Sequence, residues 1–411
     1  MLMTLGQTGE ISISWNTHAL ITRLASQDIF NSHSVKPVLV TPVEELLHEC
    51  RDDLLRLGQL FCRKLRDRLG LRPTVASHGK RLECVEDFFR LFIYNPGTGL
   101  SYVRVFDVNE MGPDVGHDQS RDGPPGHSYV PMELGSVSSA MDVFVTYSDE
   151  PDWGMDQDIF SVQDYELGSP PFGPLKGPSS QAPFHMDFPH ESRLTYWIVP
   201  GLSMSLLSLR AESCLNLSKL AFEKEQDYWG WRFLAWGAHY LQDVTCPFHC
   251  CPFPPGKTRM LLKFFQNPNP GKFYNANRDL LRNRHSLFES AISYLMNKHV
   301  KKKIPSPFLD ALKKNPGGST VELESLIREV SKLPNILAPK INDLMVDLYS
   351  TSRIDDPGYH VDDDADFVIA FVIEEAIRNR STTYDEFVFL VSECLSQAGR
   401  VTRFALKSPP R

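Results

Sequence analysis

The stretch HYLQDVTCPFHC, residues 239–250, sets two histidines, an aspartate and three cysteines within twelve positions. His239 and Asp243 stand four apart in WGWRFLAWGAHYLQDV, a run of helical character, so both side chains lie on one face a turn apart and can bind one ion. Thr245 and Pro247 end that helix, because proline cannot continue it, and the turn presents His249 off the helical register, where it can serve a neighbouring ion. A second pair with the same spacing, His285 and Glu289, falls in NRDLLRNRHSLFESAISYL. Two helical pairs and a turn histidine offer imidazole nitrogens and carboxylate oxygens for two zinc ions at open positions.

Plainer readings compete with this one. With 13 histidines and 51 acidic residues, about one or two H-x-x-x-[DE] pairs arise by chance, and a lone pair is usually a solvated helical contact. The ordered combination is far rarer, and its apolar, Trp-rich surroundings are a costly place for polar groups without partners. Cys246, His249, Cys250 and Cys251 could form a structural zinc knot, but adjacent cysteines seldom share an ion and the C-x-x-C spacing is missing. The cysteines are therefore expected to be buried bystanders. DDDAD, Asp362 to Asp366, lacks the glycine and terminal glutamate of a calcium loop and reads as acidic charge opening a helix.

The elements that must position these residues are mostly helices. Helical spacing marks WNTHALITRLA, Trp15 to Ala25, and EELLHECRDDLLRLGQLFCRKLRDRL, which Thr41 as N-cap, Pro42 and Glu44 introduce. Leu91 to Phe106 predicts a β-hairpin around a Pro-Gly-Thr-Gly turn. Pro, Gly and Ser concentrate in 111–134 and 168–184, as in long surface loops that border a site. From Leu202 onward helices dominate, with breaks at 252–276 and 314–319.

The composition sets limits. A 411-residue chain with 42% hydrophobic and 11% aromatic residues can bury a large core. Forty-three basic against 51 acidic side chains leave a net charge of −8, without the electrostatic footprint of a nucleic-acid binder. No apolar run approaches the roughly 20 residues of a membrane span. The start, MLMTLGQTGEISIS, lacks the basic and apolar regions of a secretory signal, so the literal expectation is cytoplasmic.

HYLQDVTCPFH resembles the HYLGDVNQPMH-type segment of the zinc-dependent bacterial phospholipases C, whose superfamily includes the fungal single-strand nucleases with a segment closer to HFIGDMTQPLH. The resemblance covers about 180–290. It implies that His239 and Asp243 bind a close zinc pair, and that His249, His285 and Glu289 bind a separate zinc. Glutamate at 289 leans toward the phospholipases, since the nucleases tend to carry aspartate. The family also needs an upstream histidine, for which SSQAPFHMDFPH supplies His185, with His190 as the alternative. An acidic residue near the attacking water is expected at Asp152, with Asp149, Glu150 and Asp156 as alternatives and a solvated loop as the plain reading. A third zinc in the family uses an N-terminal Trp and a nearby histidine, which Trp15 and His18 resemble, although Trp15 lies inside the chain. Either processing frees Trp15 after Ser12-Ile13-Ser14, or that ion is held differently or is missing.

The fold this implies is mainly α: one multi-helix domain over 1–411 of the phospholipase C and single-strand nuclease type. It carries a small β-hairpin and loop insertion at about 88–134, long Pro/Gly loops, and C-terminal packing helices at about 320–408. The implied activity is zinc-dependent hydrolysis of a phosphoric ester with two to three Zn2+, in which a metal-activated hydroxide attacks phosphorus with Asp152 orienting it. The acidic charge and Glu289 favour phospholipid head groups, with no transmembrane segment, no stable nucleic-acid complex, and room for peripheral membrane contact. A nuclease or nucleotidase, or a non-catalytic protein stabilised by its metals, are the alternatives. Similar proteins are commonly secreted.

Overall fold

In a computed structural model the described residues are 18–32, 35–72, 82–95, 100–105, 129–176, 181–266, 269–314, 322–349 and 365–407. They are mainly helical. The helices that build and buttress the polar cluster described below are, in chain order, α1 (His18–Ser32), α2 (Ala140–Tyr147), α3 (Ala182–His185), α4 (Leu207–Glu223), α5 (Asp227–Asp243), α6 (Pro247–Cys250), α7 (Pro270–Lys302), α8 (Lys332–Tyr349) and α9 (Thr382–Ala405).

The α5 segment is apolar nearly all round, the pattern of a helix that belongs in the interior, and every residue from Arg232 to Asp243 is buried. Its neighbour α4 packs closely against it. Gly230 and Gly237 permit this, since a Cβ at either would come within 2.7 Å of Phe222 or 2.9 Å of Leu215. A large core forms around this pair, with Trp229, Phe233 and Trp236 against Phe88 and Tyr94. A second core joins α7, α8 and α9 through Leu287, Phe288, Met345, Phe387 and Leu395, and takes Leu20 and Ile21 of α1 and Phe248 of α6. The chemistry-bearing residues lie at the seam: His239 follows Ala238 of the first core, while His249 follows Phe248 of the second.

Among the described residues strand content is confined to two short antiparallel pairs, β1 (Val38–Leu39) with β4 (Val137–Ser138), and β2 (Val103–Val105) with β3 (Tyr129–Pro131). The small β element expected in this region is thus present, with a different partner for its second arm. Leu91 and Phe92 close a helix, Val85–Phe92, because Phe88, Phe89, Leu91 and Phe92 are all buried by helical spacing and Ile93 ends it in a left-handed turn. Residues 96–99 of the expected turn, and 106–128 of the loop, lie outside the described residues.

Local readings shift elsewhere too. The helix expected to start on Thr41 runs Val43–Glu49, with extended Pro42 at the cap position and no side-chain cap bond. The break expected over 252–276 is narrower, since Lys257–Gln266 is helical and Pro270 opens α7, where a missing N–H costs nothing. Residues 315–321 and Asp362 to Asp364 lie outside the described residues, and a helix runs over Ala365–Arg378. Among the described residues no helix is long and apolar enough to cross a membrane.

Candidate metal centre

Local geometry delivers the first pair. His239 and Asp243 sit one turn apart at the end of α5, with Nε2 3.3 Å from Oδ2. Beyond Asp243 the chain stays tight: the amides of Thr245 and Cys246 donate to the carbonyls of Gln242 and Asp243 at 2.9 Å. Pro247 then opens α6, and His249 swings back until its Nδ1 is 3.1 Å from Asp243 Oδ1. On α7, His285 Nε2 lies 2.8 Å from Glu289 Oε1 one turn on.

Tertiary packing adds the rest. His185, the last residue of α3, places Nδ1 2.8 Å from Asp243 Oδ2 and 3.2 Å from His239 Nε2. Asp152, in the turn Glu150–Trp153 after α2, has Oδ1 3.7 Å from His239 Nε2 and 3.8 Å from His185 Nδ1. His18, at the start of α1, faces Asp243 from the other side, Nε2 to Oδ1 3.6 Å, and stands 3.9 Å from Asp152 Oδ2. Asp243 is the hub, with Oδ2 toward His185 and His239 and Oδ1 toward His18 and His249. A separate group forms where His249 Nε2 approaches His285 Nε2 at 2.5 Å and Glu289 Oε1 at 3.4 Å.

Three of these spacings are those of neighbouring ligands on one cation. Four nitrogen or oxygen ligands at about 2.0–2.1 Å in a tetrahedron stand roughly 3.3 Å apart. The His239–His185, His239–Asp243 and His249–Glu289 separations of 3.2, 3.3 and 3.4 Å are of that size. Both oxygens of Glu289 are buried without a hydrogen bond of good geometry, while His249 Nε2 and His285 Nε2 face its Oε1 at 3.4 and 2.8 Å. Groupings able to hold a metal ion are His18 with His239 and Asp243, Asp152 with His185 and His239, and Cys246 with His249 and Glu289.

Outer partners face His239, His18 and His185 on the side away from the centre, as they do for ligand histidines. His239 Nδ1 donates to the Ser148 carbonyl at 2.8 Å, which leaves Nε2 as the inward lone pair. Gln242 donates its amide NH2 to Thr22 and Thr402, each at 2.8 Å, so its oxygen accepts from His18 Nδ1 at 2.8 Å. His185 turns its outer Nε2 to Asp156 Oδ2 at 3.3 Å, and Asp156 is held in turn by Tyr240 at 2.5 Å and by Arg210 at 2.5 and 3.1 Å. Asp149 accepts from the Ala19 amide at 2.8 Å, anchoring the start of α1 and with it His18.

The electrostatics favour positive charge here. Burial alone lowers the His185 pKa, but Asp243, Asp156 and Asp152 outweigh it and hold the group at about 10. Burial also lowers that of His249, against which Asp243 and Glu289 hold it at about 9. For Asp243 burial works upward, yet His239, His249 and His185 keep it well below the carboxylate range. Ionised carboxylates enclosed by imidazoles attract protons or a metal cation, and the two compete.

The structure brings together His18, His185, His239 and Asp243, with Asp152 beside them, and sets His249, His285 and Glu289 in the adjoining group. Asp152 Oδ1 lies within 3.8 Å of two histidine nitrogens, with which it could hold an ion. His190 is elsewhere, meeting Ser331 Oγ at 3.0 Å. Trp15 lies outside the described residues. Sequence reasoning missed Gln242, Ser148, Arg210 and Tyr240 as supports, and assigned Cys246 no part. The one signal available was Arg210 itself, a lone cation in the apolar helix LSLRAESCL.

No family model matches this chain, and no curated protein or solved structure does.

Proposed function

We propose that the chain is a metal-dependent phosphoric ester hydrolase of phospholipase C type, with two to three zinc ions held by His18, Asp152, His185, His239 and Asp243 on one side and by His249, His285 and Glu289 on the other. The observation that carries this reading is the pair of buried donor groups joined through the single carboxylate of Asp243. Divalent ions bound there would supply Lewis acidity toward a phosphoryl oxygen and lower the pKa of a water. The protein's part is orientation. Ser148, Gln242 and Asp156 lock the imidazoles, and Asp152, at 11% exposure of its side chain, is the carboxylate of the first group most open to solvent. From there it orients an attacking water and accepts its proton.

A lipid substrate is supported by an apolar outcrop whose supporting segments continue from two of the histidines. Phe188 follows three residues after His185, Phe253 four after His249, and both pack into a small cluster with Ile198 and Phe264. Trp197, 69% exposed, and Phe265, 61% exposed, both meet Phe264 of that cluster, and Leu262, Arg259 and Lys263 are exposed on the helix Lys257–Gln266 that carries Phe264 and Phe265. An aromatic and aliphatic surface edged by cations suits the boundary of a phospholipid layer.

The test is zinc per chain on purified protein, then hydrolysis of a phosphocholine ester and of single-stranded DNA before and after chelation. At least two tightly bound ions, chelator-sensitive phosphocholine cleavage, and loss of that cleavage in His239→Ala are expected. Preference for DNA would make it a nuclease, and retained metal without cleavage of either substrate would make the metals structural.

A further inference from the structure

We propose that Cys246 is a fourth protein donor in the His249, His285 and Glu289 group, making it a closed sulfur-containing metal site rather than one with an open position. This rests on the metal-centre reading and adds a ligand to it. Cys246 Sγ, a His249 ring nitrogen and a Glu289 oxygen lie within 4.8 Å of one another, and the three residues are 1%, 4% and 1% exposed. Cys246 caps the turn that carries His249. Its amide donates to Asp243 O at 2.9 Å and its carbonyl accepts from His249 N at 3.1 Å, so thiol and imidazole, three residues apart, fall on the same side.

The group these residues face has a need that a thiol meets. Both Glu289 oxygens are buried without a hydrogen bond of good geometry, Oε1 having only the His285 and His249 nitrogens beside it at 2.8 and 3.4 Å, an arrangement that is costly in an apolar core unless a cation compensates it. Three donors leave a tetrahedral ion one position short, and soft thiolate beside imidazole and carboxylate suits zinc or cobalt. Binding replaces the S–H bond with a metal–sulfur bond, and the proton leaves to solvent with no change of oxidation state. Burial and Glu289 hold the free thiol protonated, while the amides of Phe248 and His249 draw it the other way. Cys250 is not part of the set, since its Sγ points to the Pro247 carbonyl at 3.6 Å. With four protein donors this ion is coordinatively filled, so substrate and water meet the group around Asp152, His185, His239 and Asp243 instead.

The experiment loads the full chain with Co2+ after chelation and records its absorption spectrum for wild type, Cys246→Ser and Cys250→Ser. Wild type and Cys250→Ser should show the near-ultraviolet sulfur-to-cobalt charge-transfer band, and Cys246→Ser should lose it while keeping the visible bands of bound cobalt. A cobalt-loaded wild type without that band overturns the proposal and leaves the metal centre standing. A chain that binds no cobalt overturns both. Should Cys246→Ser fail to fold, X-ray absorption of the zinc-loaded wild type decides: a sulfur neighbour at about 2.3 Å supports the site, and a shell of nitrogen and oxygen alone refutes it.

Discussion

Asp156 and Glu150 allow one perturbation to be made with its own control. Each is buried against a fully buried arginine, Asp156 with Arg210 and Glu150 with Arg232, and each takes a further donor, Tyr240 at 2.5 Å or Trp236 at 2.6 Å. Only Asp156 also meets a candidate ligand, at 3.3 Å from His185 Nε2. Asp156→Asn or Glu150→Gln leaves a guanidinium in the core without its countercharge, a loss of roughly 3–5 kcal/mol. Spread over the unfolding entropy of 411 residues, about 0.9 kcal/mol/K, that lowers the Tm of the metal-stripped protein by roughly 3–6 °C for either variant. Metal affinity separates them. Losing the anionic partner that orients a ligand histidine costs about 10–100-fold, so Asp156→Asn should weaken zinc by that factor and Glu150→Gln should not. Melting curves of stripped protein and competition against a chromophoric chelator measure the two effects. Equal zinc affinities in the two variants would refute the role given to Asp156, and an unchanged Tm would refute the ion-pair reasoning.

Two further outcomes follow from the same geometry. In the metal-stripped protein His185 and His249 are raised from the ordinary 6.5 to about 10 and about 9, so the stability they contribute is complete below pH 6.5 and is lost as pH rises through those values. Tm of the stripped chain should therefore fall between pH 6.5 and 10 while the gain in Tm on adding zinc grows; a stripped Tm that climbs over that window would contradict it. At the apolar outcrop, burying a large side chain in a lipid layer is worth about 1.5–3 kcal/mol. Trp197→Ala and Phe265→Ala, both at exposed positions, should thus each weaken binding to phosphatidylcholine vesicles by one to two powers of ten, by about that free energy, and leave hydrolysis of a soluble ester unchanged. Sedimentation with vesicles gives the first and a chromogenic assay the second; parallel loss in both would mean the residues serve the fold instead.

Much of the site was legible because helices encode their own geometry. A four-residue spacing in an apolar run places two donors on one face whatever the rest of the chain does, so His239 with Asp243 and His285 with Glu289 could be paired by counting. Pro247 made the bend toward His249 legible too. Choices between nearby candidates were not. Nothing local separates His185 from His190, or Asp152 from Asp149, Glu150 and Asp156, since all stand in short irregular segments whose direction is set by what they pack on. The pairing of β2 with β3 was hidden for the same reason: the apolar Leu91 and Phe92 satisfy a helical face as readily as a strand.

The sequence by itself determined the mainly helical architecture and two candidate ligand pairs, because both follow from periodicities within a turn or two of helix. Tertiary structure decided that His18 and His185, 224 residues from Gln242 and 58 from Asp243 respectively, close on the same carboxylate. It also decided that Asp149, Glu150, Asp152 and Asp156 divide into a helix anchor, a partner of Arg232, a carboxylate facing His185 and His239, and a support for His185. Each of those roles depends on which buried group stands opposite, and that is settled only when two separate cores meet along one seam.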